Sequence, residues 1–155
     1  MTVSITARHD TFCGQCHRWH LTTSSCLRGV LLVCGGRDFA NHLLVDWALG
    51  WMNQRAVLTA IRHGCARGAD TLAGEWARKA RIPLELYPAD WRLGRSAGPR
   101  RNEAMLQAGG LIGVVAFPGG TGTRHMVRIS RAAGLPVWVV PNEPSSATLP
   151  DGPGR

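Results

Sequence analysis

The sequence predicts an α/β fold of Rossmann-like type, an open parallel sheet of about five strands flanked by helices. Three observations point there. Apolar runs without alternation recur at 29–34, 56–61, 111–117 and 136–140, as strands buried on both faces do. Stretches of helical period separate them, giving the strand-helix alternation of a parallel sheet. Glycine- and arginine-bearing loops follow four of the strands, and in a parallel sheet all such exits lie along one edge, where doubly wound folds take ligands.

The 155 residues suffice for one domain with a proper core. Residues 1–28 stand apart as an N-terminal extension: they lack sustained apolar periodicity yet hold Cys13, Cys16 and Cys26 with His9, His17 and His20. Cys13 and Cys16 have the spacing of a zinc-binding thiolate pair, and Cys26 with His20 completes a candidate Cys3His set for zinc. The competing readings are a disordered or loosely docked arm, or covalent haem attachment at Cys13-x-x-Cys16-His17, which the lack of an export signal argues against. A retroviral-type zinc knuckle would need histidine at Leu21, so that pattern is broken by one residue.

The domain is expected over 29–141. Its first strand, 29–34, ends in Gly35-Gly36-Arg37-Asp38-Phe39, and a helix over 41–54 follows with Leu43, Leu44, Trp47 and Trp51 at helical spacing. The second strand, 56–61, leads into the turn 63–70, where Asp70 or Thr71 can cap a helix running to about 80 with Leu72, Trp76 and Ala80 facing inward. A more amphipathic strand at 83–87 suits the sheet edge. A polar loop leads to Pro99, which favours a helix first turn and places Arg100, Arg101 and Asn102 in the opening turn of a helix to 107. The fourth strand, the glycine loop 118–123, a helix over 122–133 and the strand 136–140 complete the pattern. After Pro141 the chain is rich in Pro, Ser and Gly, as disordered tails are.

The candidate ligand residues sit in those loops: Gly35, Gly36, Arg37, Asp38; Arg67, Gly68, Asp70; Asp90, Trp91; Arg101, Asn102; and Pro118, Gly119, Gly120, Thr121, Gly122, Thr123. Three glycines and two threonines within the last six free the backbone to aim N–H groups at an anion, and the helix that follows adds its positive end, worth roughly 0.3 to 1 kcal/mol per anionic group. Arg124 and Arg128, one turn apart, reinforce that field. Trp91 can stack on a base or close its loop hydrophobically. Net charge is +8, carried almost wholly by arginine, with Lys79 the one lysine. Such a balance attracts phosphate-bearing partners, a nucleotide or a nucleic acid. An odd five cysteines, with Cys34 and Cys65 in apolar or turn settings, do not make a disulfide framework. No secretory leader or membrane-length apolar run is seen, so a cytoplasmic protein without a membrane partner is expected.

Five stretches taken together, Gly35-Gly36-Arg37-Asp38-Phe39, Gly64-x-Ala66-Arg67-Gly68-Ala69-Asp70, Pro88-Ala89-Asp90-Trp91, Ala97-Gly98-Pro99-x-Arg101-Asn102-x-x-Met105 and Phe117-Pro118-Gly119-Gly120-x-Gly122-Thr123, resemble the YspA/cpYpsA-related branch of the SLOG superfamily over about 29–140. The resemblance implies a Rossmann-like domain that binds or senses a nucleotide or nucleotide-derived ligand, needs no cofactor, and pairs as a homo-oligomer through helices beside the sheet. The related LOG-type phosphoribohydrolases use Pro-Gly-Gly-x-Gly-Thr-x-x-Glu to cleave a base from a nucleoside monophosphate. Here the glutamate position is Met126, whose thioether can neither orient a hydroxyl as an anion nor exchange a proton. A binder with no assigned catalytic residue is the leading expectation. The alternatives are an N-glycosidic hydrolase using Asp38, Asp70 or Asp90, and a single-stranded nucleic-acid binder, as the relative DprA is.

Overall fold

In a computed structural model of the chain, which describes residues 10–13, 18–21 and 27–142, seven strands and four α-helices alternate. Strands β1 (Asp10–Cys13) and β2 (Arg18–Leu21) form an antiparallel hairpin, with Thr11 opposite His20 and Phe12 opposite Trp19. Arg18-Trp19-His20-Leu21 alternates polar and apolar, but over the fewest residues that can carry such a pattern, and Asp10-Thr11-Phe12-Cys13 does not share it, so the stretch lacks sustained periodicity. The remaining elements are β3 (Arg28–Cys34), α1 (His42–Arg55), β4 (Val57–His63), α2 (Ala69–Lys79), β5 (Leu84–Leu86), a 3₁₀ segment over Trp91–Ser96, α3 (Ala97–Gln107), β6 (Leu111–Ala116), α4 (Thr121–Ala132) and β7 (Val137–Val139). Most of the tail after Pro141 lies outside the described residues.

The five later strands form one parallel sheet in the order β5-β4-β3-β6-β7. The predicted Rossmann-like architecture is therefore present, with the amphipathic strand β5 at an edge. The chain builds outward from β3 to β4 and β5, then returns to lay β6 against the other side of β3. That reversal makes the C-terminal ends of β3 and β6 the switch point of the sheet.

The pleat of β3 explains the layers. Leu31 and Val33 join Val45, Leu49, Ala73 and Ala77 in the core on the α1 and α2 side. Leu32 and Cys34 join Met105 and Met126 on the α3 and α4 side. A strand covered on both faces needs an unbroken apolar run, which is what 30–34 supplies. Asn41 caps α1, its side-chain oxygen accepting from the Leu44 N–H at 3.0 Å. Trp47 and Trp51 pack on Trp138, with ring centroids 5.5 and 5.2 Å apart.

Helix α2 departs from expectation in two respects. Asp70 does not cap it: Gly68 holds that position, and no side chain bonds the first turn. Its fully buried face is Ala69, Ala73, Gly74 and Ala77, with Leu72 and Trp76 only half-buried at its flanks. The small residues bring α2 close to the sheet, so the larger neighbours at i+3 roll to the side. Beneath it, buried Arg62 on β4 bonds Glu85 on β5 at 2.7 Å and the Met105 carbonyl at 2.6 Å, tying two strands to the end of α3.

Phe117, just beyond β6, is 1% exposed and lies 5.2 Å from the Phe39 ring. Truncating it opens a cavity under the switch point. Phe117→Ala is expected to lower unfolding free energy in urea by about 3 to 5 kcal/mol, against under about 0.5 kcal/mol for Leu43→Ala, whose side chain is largely exposed.

A cavity at the sheet switch point

Two loops leave the sheet side by side at the switch point. The Gly36 N–H donates to the Pro118 carbonyl at 2.9 Å, and the Phe117 N–H to the Cys34 carbonyl at 2.8 Å, so backbone pairing continues past the strands. Gly68, at φ +74, brings a third loop against them, and the next N–H, of Ala69, donates to the Gly36 carbonyl at 3.1 Å. A Cβ at Gly68 would overlap the Gly36 carbonyl oxygen and stand 2.6 Å from that of Arg37.

Over these loops opens a cavity of about 770 Å3, in the size range of small-molecule sites. Of the residues singled out in the sequence, Gly35, Gly36, Arg37, Asp38, Asp70, Arg101 and Asn102 line it. So do Pro118, Gly119, Gly120, Thr121, Gly122 and Thr123. Helix α4 starts here with Gly120 at its cap position and no side chain capping its first N–H groups. Its leading N–H groups and positive end thus face the cavity.

The cationic wall is held in place by a chain of bonds from β4 to α4. The Arg101 guanidinium donates to the Gly64 carbonyl and, through Nε at 3.0 Å, to the Asn102 side-chain oxygen. The Asn102 amide then donates to the Gly122 carbonyl and meets His125 Nδ1, each at 3.2 Å. An amide NH₂ can only donate, so His125 accepts at Nδ1 and carries its proton on Nε2. Asn102 is buried, and His125 lines the cavity.

Asp70 sits at the cavity floor, buried, with one carboxylate oxygen accepting from the Gly64 and Ala66 N–H groups at 3.0 and 3.1 Å. Burial pushes its pKa up, a rise only partly opposed by those bonds and by the Arg101 and Arg37 charges. Cys34 also lines the cavity, and burial above all drives its thiol to about 12, so at neutral pH it is no nucleophile. His63 lies below the loop: its Nδ1 accepts from the Cys65 N–H at 3.2 Å, while Nε2 is buried without a partner. Burial, then the Arg78 and Arg101 charges, lower its pKa and keep it neutral.

Four of the candidate ligand residues stand outside the cavity wall, and Arg124 and Arg128, expected to reinforce the field at the helix start, line a separate groove behind the loop and not this cavity. Arg67 is 81% exposed and reaches toward Asp38 at 3.8 Å, a surface pair of little energetic weight. Gly68 is consumed in the backbone contact described above. Asp90 caps the 3₁₀ segment and binds the Arg92 guanidinium at 2.8 Å. Trp91, 60% exposed, touches the site only through Arg37, whose guanidinium lies 4.9 Å over its ring. Met126 faces away from the cavity, fully buried under the sheet with the Ser130 hydroxyl on its sulfur at 3.4 Å. Arg95 and His125 line the cavity although the sequence reading did not single them out. For His125 the signal was there: it lies one turn beyond Thr121 and Gly122, on the same helix face.

Of the candidate zinc ligands, Cys16 and Cys26 lie outside the described residues, as do the side chains of Cys13 and His20. Among the described residues no helix is long and apolar enough to cross a membrane.

A protein-family model described as YspA, cpYpsA-related SLOG family matches residues 30–94, from β3 into the 3₁₀ segment. The curated Gene 61 protein of Mycobacterium phage D29 is 45% identical in an alignment that covers 69% of this chain and 92% of that protein.

The raised pKa of Asp70 has a stability signature. Between the ordinary carboxylate value of 3.8 and its raised native value, the folded state keeps a proton that the unfolded chain has released. Stability therefore falls as pH rises through that window and then levels off. In urea unfolding across pH, wild type is expected to lose stability relative to Asp70→Asn over this range. Parallel curves would show that the burial of Asp70 carries no such cost.

Proposed function

Because the chain belongs to the YspA, cpYpsA-related SLOG family, we propose that the switch-point cavity binds a nucleotide or nucleotide-derived phosphorylated ligand and that the domain acts as its binder or sensor. The observation that carries this reading is the start of α4: a glycine-rich, uncapped helix N-terminus that opens directly into the cavity, with Arg101 and Arg37 on its other walls. A phosphate seated there meets backbone N–H donors, the helix dipole and guanidinium groups that bind it bidentately. The volume beyond the phosphate position accommodates a ribose and base. His125, with its Nε2 proton, and Asp70 offer a donor and an acceptor for ribose hydroxyls.

The same residues speak against N-glycosidic hydrolysis as the main activity. That chemistry needs a carboxylate on the sugar, and the position that supplies one in the LOG-type enzymes is here a buried methionine. Asp38 and Asp70 are the carboxylates lining the cavity, and one oxygen of Asp70 is already committed to two backbone N–H groups.

A thermal-shift panel of AMP, ADP-ribose, NAD and cyclic nucleotides tests the reading. At least one is expected to stabilise the protein, by about 2.7 kcal/mol at a hundredfold excess over Kd, and Arg37→Ala to reduce the shift. No stabilisation by any phosphorylated nucleoside overturns it. Release of free base from the bound nucleotide, lost in Arg101→Ala, replaces the binder with a hydrolase.

A further inference from the structure

Behind the glycine loop lies a second concavity that the nucleotide reading leaves unused. It measures about 770 Å3 and is bounded by α4, the end of β7 and the loop itself. Pro118, Gly119 and Thr123 wall both this groove and the first cavity, so the two lie back to back across one turn of backbone.

Much of the groove wall is apolar, from Val127, Val139 and Val140, and its charge is of one sign. The charged residues are Arg124, Arg128 and Arg131, with no carboxylate among the described lining residues, and α4 contains no acidic residue. All three arginines are exposed, and none of them forms a salt bridge among the described residues. The Arg124 guanidinium bonds the Thr121 hydroxyl, at 3.1 Å. At positions i, i+4 and i+7 they share one helix face and span about 10 Å of its axis. Like charges so placed repel one another, and a row of anions relieves that repulsion. The ring in the wall, Phe117, is buried, so the groove offers guanidinium groups and no stacking surface. Such a surface reads backbone charge and is indifferent to base identity.

A mononucleotide in the first cavity leaves this row without a partner, whereas a chain that continues past the first phosphate reaches it over the shared loop. We propose that the ligand is a short single-stranded oligonucleotide, its terminal nucleotide in the first cavity and its following phosphates along Arg124, Arg128 and Arg131. This inference rests on the nucleotide reading of the first cavity and specifies the class of nucleotide that fills it. Continuity of the two sites favours a nucleotide chain over an unrelated acidic partner. A first cavity far larger than one phosphate favours it over inorganic polyphosphate.

Calorimetric titration of the full-length protein with nucleoside monophosphates, and with 5′-phosphorylated mixed-sequence dimers, tetramers and hexamers, provides the test. Affinity is expected to rise at least about tenfold from monomer to tetramer. The double variant Arg128→Ala, Arg131→Ala is expected to lose that gain while keeping its affinity for monophosphates. Its slope of log affinity against log salt should shrink by about 1.4, two phosphates at about 0.7 each. Monophosphate binding with no gain from length overturns the oligonucleotide and leaves the nucleotide reading standing. So does equal loss of monomer and oligomer affinity in the double variant, or inorganic polyphosphate binding as tightly as the hexamer. If neither a monophosphate nor any oligonucleotide binds, this inference fails, while the nucleotide reading fails only if ADP-ribose, NAD and the cyclic nucleotides also leave the protein unstabilised.

Discussion

The molecule depends on how closely the chain leaving β3 passes the chain leaving β6. A Cβ on Gly35 would overlap that of Ala69 and stand 2.9 Å from that of Phe117; one on Gly119 would stand 2.6 Å from the Gly36 nitrogen. Only hydrogen fits at either place. The loops therefore meet backbone to backbone, bonded through Gly36 and Pro118, and the space above them is free of side chains. A cavity with a helix start at its wall is the direct outcome of that contact, because α4 begins as soon as the second loop clears the first.

Position alone does not make the cavity a rigid receptor for an anion. The bonds that run from Gly64 through Arg101 and Asn102 to Gly122 join the ends of β4, α3 and α4. Arg101 is consequently part of the scaffold before any ligand arrives, and little of its conformational entropy remains to be lost on binding. Arg37 is the opposite case. It is exposed and rests on the Trp91 ring, so a ligand can draw it in, exchanging a cation–π contact for a charge-assisted hydrogen bond. The site thus combines a tethered cation in its wall with an exposed one at the rim.

The sequence displayed the sheet well, because strands buried on both faces demand uninterrupted apolar runs, and Leu31, Leu32, Val33, Val114 and Val115 are such runs. The glycine loops were legible for a related reason, since tight backbone approach admits one residue type. What the sequence hid was direction. Asp70 reads as a helix cap by its place before an apolar stretch, yet it lies inside the helix and turns back to bond the preceding loop. Arg67 in its turn and Arg101 in its helix start both read as site arginines, but of the two only Arg101 meets the cavity, because Asn102 and the Gly64 carbonyl hold it there. Which way a polar side chain turns is set by partners distant in sequence, 37 residues apart for Arg101 and 43 for Arg62. The β1–β2 hairpin was missed because only one of its two four-residue strands alternates.

The burial of Met126 bears on what the family resemblance can transfer. Its neighbours are Leu32, Cys34, Met105, Val114 and Ala116, an apolar layer between α4 and the sheet. A carboxylate among these apolar groups would be stripped of water, and would either take up a proton or turn outward at the expense of packing. The hydrolytic residue of the LOG-type enzymes is thus not simply exchanged for another side chain: the surroundings have become a place where an ionised acid is unfavourable. The features proposed to bind phosphate lie on other faces of the same helix and in the loop before it. Gly120, Gly122 and His125 face the cavity while Met126 and Ser130 face the sheet. A helix divided in this way can keep anion recognition intact while its inner face is given over to the core.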